Sequence, residues 1–217
     1  MRTKLLIPGL WLAMTCPWAQ AQSPSVAQAL LDQQWDTALS LAQTLPGAEL
    51  ERQAQAAAAH DVVPAMWLMG QARYLQHDLD GASRWFYRGW LGLQIDLNVC
   101  RSAASRNLTA VLMSSFPDAL THARNDVAVR TTGIRDAARY YGDDPNRDPL
   151  TGWSCRWAFI RQAKGPQPTP QVLARLTIDD HQYRMQRARA LDQFMTQTGL
   201  QSRTAHKVGA SANLELP

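Results

Sequence analysis

Residues 65–89 read AMWLMGQARYLQHDLDGASRWFYRG, and this stretch constrains the fold more than any other. Ala65, Leu68, Met69, Ala72 and Leu75 recur at helical spacing, and Ala82, Trp85, Phe86, Gly89 and Trp90 repeat the pattern after a polar break. The break runs from His77 to Gly81, with Asp80 placed to cap the second helix. Trp67, Gly70 and Tyr74 give the first helix a second apolar face. A helix that is apolar on two faces needs neighbours on both sides, which a stack of helical hairpins supplies.

These residues carry a resemblance. Gly70 and Tyr74, then Asp78, Ala82, Trp85-Phe86 and Arg88, resemble the Sel-like branch of the tetratricopeptide repeats over roughly residues 57–91. Met69 stands where that pattern has Leu, and Tyr74 falls one residue late. The resemblance implies an α-solenoid that binds other proteins, and it implies no chemistry or cofactor.

The rest of the chain agrees on class. No alternating Val/Ile/Thr run exceeds four residues, and the helix formers Ala, Leu, Gln and Arg dominate. The expectation is an all-α fold: a short α-solenoid of hairpins with a divergent C-terminal helical part. Residues 25–45 read as a first pair, with Trp35 three residues before Ala38 opening its second helix and Pro46-Gly47 ending it. Residues 48–60 form a further helix, and 92–115 another, with Cys100 near its start. Beyond a break at Ser115-Phe116-Pro117, with Ser115 as cap, the stripe Leu120, Ala123, Val127, Ile134, Ala138, Tyr141 predicts a helix kinked at Gly133. Residues 142–149 are a loop, 153–163 a short helix with Cys155, and 165–170 an extended linker. Residues 171–198 are helical with a break near 178–180, and 199–217 form a disordered tail.

The amino terminus predicts export. Arg2 and Lys4 precede an apolar run from Leu5 to Met14, and Ala19 and Ala21 suit the last positions before cleavage, so residues 1–21 read as a signal peptide. The run is too short to span a membrane, and Ala13 and Thr15 disfavour a lipid anchor on Cys16. Residues 22–198 then form one domain in the periplasm. Loss of Arg2 and Lys4 lowers the net charge from +4 to +2, too little for a nucleic-acid footprint. Cys16 leaves too, and Cys100 and Cys155 remain as one expected disulfide. A redox-active pair is disfavoured because the two are not spaced Cys-x-x-Cys.

Chemistry finds little support. Glycoside hydrolysis needs a glutamate acid in a cleft with a second carboxylate, and Glu49, Glu51 and Glu215 offer no such spacing. His60, His77, His122, His181 and His206 form no metal motif. Asp179-Asp180-His181 reads as a solvated turn, and Ser114-Ser115 lacks a nucleophile elbow. The expectation is a non-enzymatic protein without metal or cofactor that binds another protein. Its sharper forms are an immunity protein against a toxin delivered to the periplasm, or an envelope or secretion-system scaffold. A peptidoglycan-binding or cell-wall-acting protein is the alternative from another class. The partner face is placed on the aromatic-arginine residues off the main stripe: Trp67, Arg84, Tyr87 and Arg88.

Overall fold

A computed structural model describes residues 25–59, 62–100, 107–143, 153–163, 169, 171–172 and 179–199. The expected signal peptide, the loop at 144–149 and the tail beyond 199 lie outside these residues. The described elements are helical: α1 Val26–Leu31, α2 Trp35–Thr44, α3 Gly47–Ala58, α4 Val63–Leu75, α5 Leu79–Val99, α6 Asn107–Ser115, α7 Pro117–Asn125, α8 Val127–Gly142, α9 Trp153–Ala163 and α10 Asp180–Gln197. The all-α class is as the composition predicts. Among the described residues no helix is long and apolar enough to cross a membrane.

The caps show how local sequence sets these bounds, and they move several expected ones. Ser25 caps α1 by accepting from the Gln28 backbone N–H at 3.1 Å. At the α4–α5 turn the cap is Asp78, not Asp80: its Oδ1 accepts from Gly81 N–H at 2.9 Å, and Asp80 sits in the first turn. His77, at φ 62°, takes the left-handed conformation that ends α4. The helix that follows is long, 21 residues or about 32 Å at 1.5 Å per residue. It continues through Gly92, so Cys100 closes α5 and does not open the next helix. Ser115 turns its hydroxyl back to Val111 O, and Phe116 occupies the cap position of α7. The next break falls at Asp126, which ends α7 and caps α8 by accepting from Ala128 and Val129 N–H.

The first five helices pack beside one another, α1 on α2 and α3, α3 on α4, and α4 on α5. From there the order changes. The helix laid along α5 is α8, and α7, α9 and α10 also touch α5, which makes it the centre of the fold. Gly133 does not kink α8. A Cβ there would lie 2.4 Å from Ser83 Oγ and 2.7 Å from Tyr87 Cδ2, so the glycine is what lets α8 close on α5. Rings run in series from α2 to α4: Trp35 (α2) meets Phe116, the cap of α7, at 6.3 Å, Phe116 meets Phe86 (α5) at 6.3 Å, and Phe86 meets Trp67 (α4) at 5.9 Å. The α10 helix docks through one narrow stripe, Tyr183, Arg187, Ala190 and Phe194, with the Arg187 guanidinium donating to Tyr141 O at the end of α8.

The α9 helix is tied down at its first turn. Cys155 is disulfide-bonded to Cys100, with Cα atoms 5.3 Å apart. Trp153 Nε1 donates to Leu30 O at 2.9 Å, and Ser154 N–H donates to Asp96 Oδ2 at 2.7 Å. Asp96 is 1% exposed and its Oδ1 has no partner. Burial raises its pKa from 3.8 to about 6, against the opposing pull of the Ser154 hydrogen bonds and the Arg156 charge. A pKa raised on folding means the folded state holds the proton more tightly. The stabilisation is therefore complete below pH 4 and is lost as pH rises through 6. An asparagine keeps the acceptor for Ser154 and never ionises. The stability advantage of Asp96→Asn over the parent is expected to widen by about 3 kcal/mol between pH 4 and pH 7. Urea unfolding across that range measures it, and a pH-independent difference would refute the buried-acid account.

Candidate interaction surface

The four residues expected at a partner face separate in the structure. Trp67 is 1% exposed and Tyr87 3%, so neither is a surface aromatic. Tyr87 stacks on Trp90 at 5.8 Å, meets Phe194 edge-on at 6.3 Å and turns its hydroxyl towards Ala123 O. Burial raises its pKa, opposed by the charges of Arg130 and Arg124. The second apolar face of α4 and the off-stripe face of α5 are both covered by other helices. Arg84 alone of the four is exposed, and Arg88 is half-buried.

Arg88 is the best-determined cation on this side of the molecule. Its Nε meets Asp136 Oδ2 at 2.5 Å and its Nη2 meets Oδ1 at 3.0 Å, a two-pronged pair between α5 and α8. The guanidinium lies 4.9 Å from the Trp85 ring and 4.5 Å from the Tyr140 ring, one on each helix. The two helices run parallel here: Ser83 donates to Val129 O, Gly133 faces Tyr87, Arg88 faces Asp136, and Gly92 faces Tyr141.

Around that clamp stand arginines without acids. Arg84 precedes Arg88 by one turn on α5, and Arg135 and Arg139 flank Asp136 on α8; all three are exposed. Asp136 is engaged by Arg88, and none of the three has an ion-pair partner within 4 Å among the described residues. Elsewhere some arginines are matched, Arg52 with Glu49, Arg73 with Glu51 and Asp78, and Arg161 with Asp36, and others, such as Arg184 and Arg189 on α10, are not. The α5–α8 seam is therefore a positive edge with a rigid aromatic centre. Asp136, Tyr140, Arg135 and Arg139 escaped the sequence reading, and Trp85 was read there only as part of the apolar stripe. The i, i+3 spacing of Trp85 and Arg88 and the i, i+4 spacing of Asp136 and Tyr140 were the available signals, but nothing local says that α8 meets α5.

Asp179 caps α10 by accepting from Gln182 N–H at 2.8 Å, so the Asp179-Asp180-His181 run begins a helix, as a solvated turn would. Among the described residues no three His, Cys, Asp or Glu side chains converge to hold a metal ion. No protein-family model, curated protein or solved structure matches this chain.

Proposed function

We propose that this chain is a non-enzymatic, exported helical-repeat protein that binds another protein, and that its binding face is the arginine edge of α5 and α8. The observation behind this reading is the contrast within one seam: Arg88 is held by Asp136 between two rings, and Arg84, Arg135 and Arg139 have no acid. Arginine and aromatic side chains dominate binding hot spots, and a fixed positive edge steers an acidic partner segment. A toxin delivered to the periplasm and an envelope or secretion-system component are both partners of the kind such a face serves.

The test pairs capture with charge reversal. The mature chain is expected to retain one stoichiometric partner from periplasmic extract at low salt. Arg84→Glu/Arg139→Glu is expected to bind that partner at least 10-fold more weakly, and 0.5 M NaCl should narrow the gap by screening. Equal capture by both forms, or capture indifferent to salt, would sink this face as the binding site.

A further inference from the structure

The clamp between α5 and α8 holds one carboxylate and leaves half of its guanidinium unused. Asp136 takes the Nε and Nη2 side of Arg88, at 2.5 and 3.0 Å. A guanidinium carries five N–H groups in one plane, so this two-pronged pair leaves three, both of those on Nη1 and one on Nη2. Nη1 has no hydrogen-bond partner among the described residues, and it is not sealed from solvent. The side chain is thus fixed along one edge, and its outer edge still offers two parallel donors.

Arg73 shows how this chain fills such an edge. Its Nη1 donates to Asp78 at 3.1 Å and its Nη2 donates to Glu51, so one guanidinium serves two carboxylates from different elements. Arg88 also bridges two elements, yet it has Asp136 alone. Its surroundings suit a second acid. Two carboxylates on one guanidinium leave a net negative charge, which nearby cations offset. Arg84 lies one turn from Arg88, Arg135 is next to Asp136, and Arg139 is one turn beyond it; all three are exposed and have no acid among the described residues.

We infer that the outer edge of Arg88 seats one carboxylate of the partner, an Asp or Glu side chain with further acids beside it, in a carboxylate–guanidinium–carboxylate row across the seam. The seat presupposes the arginine edge as the binding face. A planar carboxylate matches two parallel N–H donors, as Asp136 does on the inner side. The Trp85 and Tyr140 rings, 4.9 and 4.5 Å from Cζ, crowd the guanidinium, so a ligand enters in its plane. A tetrahedral phosphate or sulfate would turn its spare oxygens on to electron-rich ring faces. The neighbouring acids of the partner fall to Arg84, Arg135 and Arg139, which attract them without a fixed geometry. Asp136 and the rings hold Arg88 before any partner arrives, so binding there orders little that is not already ordered.

The probe is octaglutamate with both ends blocked, titrated at low salt into the full oxidised chain and followed by calorimetry; octaglutamine is the uncharged control. Nitrogen spectra of the guanidinium groups, with Arg88 assigned by its loss in Arg88→Lys, read the seat directly. Saturable binding of octaglutamate alone is expected, and it should move the Arg88 Nη signals and leave Nε, already paired with Asp136, nearly still. Acetate should move the same Nη signals, and inorganic phosphate at equal ionic strength should not. Arg88→Lys keeps the charge and loses the outer edge, so it should bind octaglutamate roughly 10-fold more weakly with an unchanged salt dependence. No saturation, unmoved Arg88 Nη signals, equal binding by Arg88→Lys, or phosphate acting as acetate does would each overturn the carboxylate seat. Capture from periplasmic extract separates the seat from the face. A partner kept by Arg88→Lys and lost by Arg84→Glu/Arg139→Glu would remove the seat and leave the edge as the binding face, whereas a partner kept by both variants would remove the two together.

Discussion

Breaking the disulfide, by Cys100→Ser/Cys155→Ser or by reduction, is expected to cost about 4 kcal/mol of stability. The two cysteines are 55 residues apart, and the chain-entropy model gives that figure for a loop of this length. The loop holds α6, α7 and α8, the last of which packs along α5. Its ends meet where α9 is also fastened by Asp96–Ser154 and Trp153–Leu30. Those two hydrogen bonds keep α9 docked while the rest of the chain is folded, so reduction should lower the unfolding midpoint before it releases the helix. Urea unfolding with and without reductant measures the loss, and Trp153 and Trp157 fluorescence follows α9. Equal midpoints for the oxidised chain, the reduced chain and the double variant would show that the bond constrains nothing the fold does not already hold.

The disulfide was legible in the sequence because the expected signal peptide leaves an even cysteine count, which points to one bond. Other features were legible because they are local. Trp35 opens α2, Pro46-Gly47 separates α2 from α3, α9 runs over the predicted residues, and α10 starts from the Asp179 cap. Apart from the misplaced caps at Asp80 and Ser115, the errors share one cause. Periodicity shows that a face is apolar and leaves open which distant helix covers it. Tyr87 read as an outlying aromatic because α8 and α10, which bury it, lie more than forty residues further on. Gly92 read as a boundary, yet it lies inside α5 against the Tyr141 hydroxyl. Gly133 read as a kink, yet it is a contact with α5. The arginine edge was half visible for the same reason: Arg84 and Arg88 lie on the stretch that stood out, and Arg135, Asp136, Arg139 and Tyr140 arrive from α8.

Trp67→Ala is expected to cost 3–5 kcal/mol, the range for emptying a buried tryptophan site. The geometry says why this residue belongs to the core and not to a partner face. Gly70 on α4 leaves room for the Phe86 ring and Gly89 on α5 leaves room for Trp67, so each helix receives an aromatic from the other. A Cβ at Gly89 would lie 2.7 Å from Trp67 Cδ1, and neither backbone has space to yield. Gly89→Ala is therefore expected to cost about 1–3 kcal/mol through overpacking. With Trp67→Ala already present, the added methyl enters an empty site and should cost little, so the double variant should fall short of the sum. The indole N–H of Trp67 has no partner, so Trp67→Phe, which keeps a ring and removes the stranded donor, should lose less than half of what alanine does. Urea unfolding of the four variants decides the matter. Additive losses would break the pairing of Trp67 with Gly89. A Trp67→Ala variant that kept its stability and lost its partner would return Trp67 to the binding face.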